Sequence, residues 1–132
     1  MRSINTTVQY QWFNKVWNNE DETAIDELFA EDAIAHGLTE EPGTAAFKAF
    51  YNNFKNQFSN IHVEVHDVLS EGDMEASRCK VKAIETASGK AVEFSGVCIT
   101  RIKDGKIAEA WNHYDFLNMY QQLGYTLQPA VV

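Results

Sequence analysis

The sequence predicts an α+β fold, with helices in the first half of the chain and an antiparallel sheet in the second. Up to about residue 58, apolar residues recur at helical spacing. From about residue 61 onward, apolar and polar residues alternate, and glycine-containing turn signals interrupt the alternation. Helices followed by hairpin-connected strands are typical of a sheet that packs one face against a helical layer.

Two helices and a short strand are predicted in the first 40 residues. The first helix spans about residues 5–18, and its apolar positions are Val8, Trp12, Phe13, Val16 and Trp17. Asp21 can cap a second, short helix, whose apolar positions are Ala24, Ile25, Leu28 and Phe29. Residues 33–37 are predicted to form a short strand.

A longer amphipathic helix is predicted after the punctuation at Pro42 and Gly43. Its apolar face consists of Phe47, Phe50, Tyr51, Phe54 and Phe58, spaced i, i+3, i+4, i+7 and i+11. This face predicts the main contact between the helical layer and the sheet.

Four successive antiparallel strands are predicted in the second half of the chain, over residues 61–69, 74–86, 91–102 and 107–114. The turn signals between them are Glu71-Gly72-Asp73, Ser88-Gly89 and Asp104-Gly105. A final helix is predicted over residues 116–123, and Gly124 ends it.

Two-residue turns in the last two hairpins would fix which strand residues lie opposite each other. They place Cys98 opposite both Cys79 and Trp111, and Gly96 opposite His113. The inner, apolar face would then hold Cys79, Val81, Ala83, Val92, Phe94, Gly96, Cys98, Thr100, Ile107, Glu109, Trp111 and His113, with Asp115 continuing the same parity. A glycine gap beside an inward His and Asp describes a pocket, although a one-residue bulge would change this assignment.

The register of the strand over residues 61–69 has two solutions. A three-residue turn points Ile61, Val63 and Val65 inward, whereas a two-residue turn points His62 and His66 inward. We favour the first, because it buries valines rather than histidines.

The outer sheet face combines basic and apolar side chains. Its predicted members are Arg78, Lys80, Lys82, Ile84, Glu93, Ser95, Val97, Ile99 and Arg101. It is either a solvated face, on which long side-chain stems cover apolar surface, or a homodimer interface.

Length, charge and cysteine content restrict the function further. The 132 residues suit one domain, and 11 Lys and Arg against 19 Asp and Glu give a net charge of −8, which disfavours nucleic acid as a partner. Nine of the 19 acidic residues lie between Val16 and Phe47, a stretch without Lys or Arg. The rest of the chain has ten acidic residues and 11 Lys and Arg, so the negative charge is concentrated in this stretch. We expect neither a membrane span nor a secretory signal, and therefore a cytoplasmic protein. Cys79 and Cys98 fit no disulfide scaffold or zinc motif and are interpreted as reduced core residues.

The stretch FSGVCITRIKDGKIAEAWNHYDFLNMYQQLG, residues 94–124, resembles the SnoaL-like polyketide cyclase and ester cyclase family. It contains a Phe-x-Gly strand, an Arg-Ile-x-Asp-Gly-Lys-Ile turn, a Glu-x-Trp-x-x-x-Asp strand end and a Gln-Leu-Gly helix end. The N-terminal half resembles the family more loosely, through Phe29-Ala-Glu-Asp-Ala, His36 and the Gly43-x-x-x-Phe47-x-x-Phe50 pattern. The resemblance covers nearly the whole chain.

This resemblance implies a cone-shaped, curved antiparallel sheet packed on N-terminal helices, the cystatin-like arrangement of the nuclear transport factor 2-like superfamily. It also implies a cavity for a small hydrophobic ligand and, in many members, a dimer. Asp115 matches the acid/base of the cyclases, Glu109 and Trp111 match the other two motif positions, and His36 matches a pocket histidine. One departure is the short turn over residues 86–90, where many members carry a longer segment, so substrate identity does not carry over.

The leading functional hypothesis is a small-molecule enzyme that needs no cofactor or metal. Asp115 would abstract a proton next to a carbonyl, and His36 or His113 would stabilise the enolate, giving an aldol-type cyclisation or an isomerisation. The substrate would be a small, largely apolar carbonyl compound, and the residues expected to bind it are Trp17, Phe50, Phe94, Gly96, Glu109 and Trp111.

Less specific interpretations stay open beside this hypothesis. Asp115 also sits where it can cap the last helix, and His36 or His113 can be ordinary residues at a strand end. The rival function is a non-catalytic protein that binds a small hydrophobic ligand in the same cone. An epoxide hydrolase needs a buried Asp-Arg-Asp set, and Arg78 and Arg101 are predicted on the opposite face.

Overall fold

The structure, a computed structural model that describes residues 4–131, has the predicted order of helices and strands. After a 3₁₀ turn over Ile4–Thr6, the helical elements are α1 Val8–Trp12, a π-helical segment Phe13–Asn18, α2 Thr23–Leu28, α3 Thr44–Gln57 and α4 Phe116–Gln122. The strands are β1 Ala35–His36, β2 Phe58–Glu71, β3 Met74–Glu85, β4 Ala91–Lys103 and β5 Lys106–Tyr114.

The five strands form one sheet in the order β1-β5-β4-β3-β2. The four long strands pair antiparallel with their sequence neighbours, as predicted, and the short β1 pairs parallel with β5. The helices pack on one face of this sheet, which confirms the α+β class.

The predicted first helix is divided into two segments of different geometry. Thr7 caps α1 by accepting a hydrogen bond from Tyr10 N at 3.2 Å, and the wider π turn then follows from Phe13 to Asn18. This change of pitch keeps Phe13, Val16 and Trp17 all buried. Asp21 accepts from Thr23 N at 3.1 Å at the start of α2.

Aromatic side chains join the helical layer to itself and to the sheet. Trp17 packs against Phe47 and Tyr51, with ring centroids 6.5 and 4.8 Å away. Tyr51 is fully buried and donates its hydroxyl hydrogen to Val16 O at 2.9 Å. Each such buried ring contributes on the order of 1.5–3 kcal/mol of transfer free energy, so this cluster holds the π-helical segment and α3 together.

The valines of β2 face inward, as predicted, but a register shift within the strand produces this orientation and not a three-residue turn. Glu71 pairs with Met74, so the turn has two residues rather than three. A register shift between Val65 and Asp67 then changes the parity, and Val63 and Val65 pair with Val81 and Cys79 on the inner face. Val63 is 5% exposed, which confirms the inward assignment of the valines.

The β3–β4 hairpin is offset by two residues from the prediction. Cys79 lies opposite Gly96, and Cys98 lies opposite Ser77, so the two cysteines are diagonal neighbours rather than a direct pair. The cause is a longer loop, which Glu85 N closes by donating to Lys90 O at 2.8 Å. An offset of two leaves the faces of β3 and β4 as predicted.

The β4–β5 hairpin contains the bulge that reverses the predicted face of most of β5. Next to the turn, Ile102 pairs with Ile107 as predicted, but Arg101 pairs with Glu109, so Ala108 has no partner. Beyond this bulge, the inner face carries Ala110, Asn112 and Tyr114, while Glu109, Trp111 and His113 lie on the outer face with Arg101, Ile99 and Val97.

Candidate functional site

A cavity lies between the helices and the inner sheet face. The centre of a water-sized molecule can occupy about 60 Å³ of this cavity. On the same measure one water molecule requires roughly 10–15 Å³, so the cavity has room for several. The apolar lining residues are Trp12, Phe13, Trp17, Phe29, Ala35, Leu38, Phe47, Phe50, Phe54, Ile61, Val63, Val81, Phe94, Ile107, Ala110 and Phe116. The cavity is therefore suited to an apolar molecule.

Five further lining residues carry a polar atom, and they are Gln9, Cys98, Thr100, Asn112 and Tyr114. Among residues 4–131, no Asp, Glu, His, Lys or Arg contributes to this lining. A charged ligand group would therefore be buried without an opposite charge, which is costly, so the lining favours neutral ligands.

Three of the six residues predicted to bind substrate line the cavity. Trp17, Phe50 and Phe94 do so. Glu109 and Trp111 do not, because the bulge at Ala108 turns them to the outer face. Gly96 leaves no gap in the wall either, because the ring of Tyr114 occupies the space where its Cβ would lie.

Asp115 points away from the cavity, which corrects the predicted inward orientation. Its side chain is exposed, and its Oδ1 accepts from Asn118 N at 3.0 Å, so that it caps α4. His113, predicted to face inward, is exposed on the outer face opposite Val97. Neither Asp115 nor His113 lines the cavity.

His36 belongs to a cluster on the outer side of the β1–β5 edge. Its Nε2 lies 2.7 Å from Glu109 Oε2, and its ring stacks on Trp111 at a centroid distance of 5.7 Å. Arg101 lies 3.6 Å from the other oxygen of Glu109. The hydrogen bond from His36, and then the charges of His36 and Arg101, lower the pKa of the Glu109 carboxyl. His36 therefore contacts both Glu109 and Trp111, the two residues that match the family motif, but none of the three lines the cavity.

Tyr114, Cys79 and Cys98 are polar but uncharged side chains on the inner face of the sheet. Burial raises the pKa of Tyr114 well above its usual value, and the nearby thiols of Cys98 and Cys79 raise it further. Burial likewise raises the pKa values of Cys79 and Cys98. All three groups therefore stay protonated at neutral pH and can act only as neutral hydrogen-bonding groups.

Sequence reasoning missed Gln9, Asn112 and the buried carboxylate of Glu75. Glu75 is 2% exposed, and its oxygens accept from Val8 N at 3.2 Å and Gln9 N at 2.9 Å, which ties the start of α1 to β3. Gln9 had a usable signal, since it lies three and four residues before Trp12 and Phe13 and so falls on the apolar helix face. Asn112 had none, because only the bulge places it inside.

Residues 4–131 contain no group of three or more His, Cys, Asp or Glu side chains arranged to hold a metal ion. None of the helices described in the structure has both the length and the apolar character needed to cross a membrane.

Comparison with known proteins places this geometry in a family. Residues 7–123 match the SnoaL-like polyketide cyclase family, whereas a comparison with curated proteins gives no significant match. Among solved structures, a proposed polyketide cyclase from Bacillus cereus shares 30% identity at a TM-score of 0.77, covering 89% of this chain and 78% of that one.

Two further structures extend the similarity in fold. IdmH, a proposed polyketide cyclase from Streptomyces antibioticus, shares 24% identity at a TM-score of 0.78 over 89% of this chain and 96% of that one. A proposed SnoaL-like polyketide cyclase from Jannaschia shares 19% identity at a TM-score of 0.81 over 96% of this chain and 99% of that one. The chain therefore belongs to the SnoaL-like polyketide cyclase family and has its nuclear transport factor 2-like fold.

Proposed function

We propose that this protein binds a small, neutral, largely apolar carbonyl compound in the cone cavity and promotes its aldol-type ring closure. The observation that carries the proposal is the cavity itself, with its aromatic and aliphatic lining and a side-chain amide in its wall. A narrow apolar cavity can hold a flexible chain in the folded conformation that ring closure needs, and so removes much of the entropic barrier.

Asn112 is the residue best placed to polarise a carbonyl group. Its Nδ2 donates one hydrogen to His36 O at 3.2 Å, and a primary amide has a second N–H to offer. In the proposed reaction the α-carbon of the substrate bonds to a second carbonyl carbon. Water takes the α-proton; as the C–C bond forms, the π bond of the second carbonyl breaks, and its oxygen, held by Asn112, takes a proton from water and becomes a hydroxyl.

Direct assay of ring closure tests this proposal. Synthetic 1,5- and 1,6-diketones would be incubated with the protein, and cyclic products would be followed by chromatography and mass spectrometry. We expect turnover by the wild type and a loss of about tenfold or more in Asn112→Ala, whereas the matched control Asn118→Ala, at an exposed position of α4, keeps its activity. Equal turnover by Asn112→Ala and Asn118→Ala would remove Asn112 from the mechanism.

The second candidate function is binding without chemistry. It is supported by the same lining, which among residues 4–131 offers no Asp, Glu or His as a general base. A compound that co-purifies with the protein and is recovered unchanged, with no turnover across the carbonyl panel, would favour this function over ring closure.

We also propose that two copies pair through the outer sheet face. Val97 and Ile99 are 43% and 39% exposed there, beside the half-buried Trp111. Burying these side chains against a second copy would remove them from water. Light scattering at micromolar concentration should give twice the chain mass, and Ile99→Lys should give one chain mass; a monomeric wild type would exclude the dimer.

A further inference from the structure

Gln9 is a buried amide whose nitrogen is anchored on the sheet. It is 1% exposed. Its Nε2 donates to Glu75 O at 2.9 Å, to Thr100 Oγ1 at 2.8 Å and lies 3.2 Å from Cys98 O. Two of these partners are backbone carbonyls, which only accept hydrogen bonds, so the nitrogen must face them. The orientation of the amide is therefore fixed.

The oxygen of the same amide has no hydrogen-bond donor among the described residues, although it is buried. A buried acceptor without a partner costs roughly 1–3 kcal/mol, and such groups are rare in native proteins. Because Oε1 and Nε2 are bonded to the same carbon, the acceptors that hold Nε2 also fix the position of Oε1. Gln9 also forms part of the cavity wall, next to Trp12 and Phe13.

We propose that Gln9 Oε1 accepts a hydrogen bond from a hydroxyl group of the cavity ligand, so that the ligand is a neutral enol, phenol or alcohol. This inference rests on the proposed binding function and narrows its ligand class. A hydroxyl fits better than an amine, because a protonated amine would need a counter-charge that none of the lining side chains between residues 4 and 131 supplies. The aromatic neighbours favour a ring or a conjugated system on the carbon that bears the hydroxyl.

Three naphthalene probes of similar size test the donor requirement on the unmodified protein. 2-Naphthol supplies an O–H donor, 2-methoxynaphthalene supplies only an acceptor, and 2-methylnaphthalene supplies neither. Titration followed by probe fluorescence should show 2-naphthol binding about tenfold tighter than each of the other two, the equivalent of one hydrogen bond in a desolvated site. Equal affinities of 2-naphthol and 2-methoxynaphthalene would overturn the inference.

Two variants locate the effect at Gln9. Gln9→Met keeps the length of the side chain and removes the acceptor, so the affinity ratio of 2-naphthol to 2-methylnaphthalene should fall from about ten to about one. Gln11→Met, the matched control, makes the same substitution on α1 at a half-buried residue that does not line the cavity, so it should keep the preference. A preference that survives Gln9→Met in a folded variant would assign the hydroxyl to another residue. If Gln9→Met does not fold, the comparison of the three probes on the wild-type protein still decides.

The same titrations separate this inference from the binding proposal beneath it. Binding of 2-methylnaphthalene without any preference for 2-naphthol overturns the role of Gln9 alone and leaves the cavity as a binding site. Absence of binding by all three probes overturns both.

Discussion

The ring of Tyr114 on β5 lies over Gly96 on β4 and occupies the space that a side chain at position 96 would need. The two are paired in the sheet, and a Cβ at position 96 would overlap Tyr114 Cδ1 and lie 2.6 Å from Cε1. Gly96 thus makes room for the aromatic ring that closes this part of the cavity wall, as cross-strand aromatic–glycine pairs do. The Phe-x-Gly element of the family pattern has a packing function here.

Gly96→Ala should destabilise the protein. The ring of Tyr114 must move to admit the methyl group, at a cost of about 1–3 kcal/mol in the free energy of unfolding measured by urea denaturation. Ser95→Ala, the next residue on the same strand and exposed on the opposite face, should change that free energy by less than about 0.5 kcal/mol. The double variant Gly96→Ala/Tyr114→Leu should lose less free energy of unfolding than the sum of the losses in the two single variants. A loss equal to that sum would contradict the contact between the two residues.

Asp115 is predicted to stabilise α4 rather than to act on substrate. Asp115→Ala removes the acceptor for Asn118 N and should cost roughly 0.5–2 kcal/mol. Asp115→Asn keeps a good capping side chain, so both stability and turnover should stay close to those of the wild type. Loss of turnover in a fully stable Asp115→Asn variant would return this residue to the chemistry.

The His36–Glu109 contact should stabilise the fold in a pH-dependent way. The pKa of Glu109 is lowered in the folded state, mainly by the hydrogen bond from His36, so the stabilisation is complete above the ordinary pKa near 4.5 and disappears as the pH falls through the lowered value. The difference in unfolding free energy between wild type and Glu109→Gln should therefore shrink when urea titrations are taken from pH 6 to pH 3. A difference that grows on acidification would have the wrong sign.

Cys79 and Cys98 should behave as inert, reduced thiols. They are 1% and 4% exposed, and burial raises the pKa of each, so little reactive thiolate forms. At pH 8, Ellman's reagent should label neither thiol in minutes in the native protein and both after unfolding in guanidinium. Rapid labelling of the native protein, or an intact mass two hydrogens lower, would exclude this state.

The periodic parts of the fold could be predicted because their signals are local. Phe47, Tyr51 and the alternating residues of β4 each satisfy one period over many residues, so their buried faces follow directly. The prediction that the β2 valines face inward is correct, and its reason, the preference for burying Val63 over a histidine, holds even though a bulge rather than a longer turn produces the result.

The part of the candidate site on β5 could not be predicted because one unpaired residue, Ala108, reverses the face of that strand. Both alternating sets on that strand mix apolar and polar side chains. The set facing inward could equally be Ala110, Asn112 and Tyr114 or Glu109, Trp111 and His113 on composition alone. Nothing in the local composition therefore distinguishes the two registers. The predicted turn at Asp104-Gly105 is correct, but the cavity wall predicted from it is wrong, because a turn fixes the register only up to the first bulge.

Filling the cavity tests its proposed role as the ligand site most directly. Ala110 is 5% exposed and lines the cavity, whereas Ala49 lies exposed on α3, so Ala110→Leu and Ala49→Leu add the same atoms inside and outside. In a titration with 2-methylnaphthalene, with folding of each variant checked by circular dichroism, we predict that Ala110→Leu weakens binding about tenfold or more and that Ala49→Leu binds as the wild type does. Unchanged binding by a folded Ala110→Leu variant would contradict the assignment of the cone cavity as the ligand site.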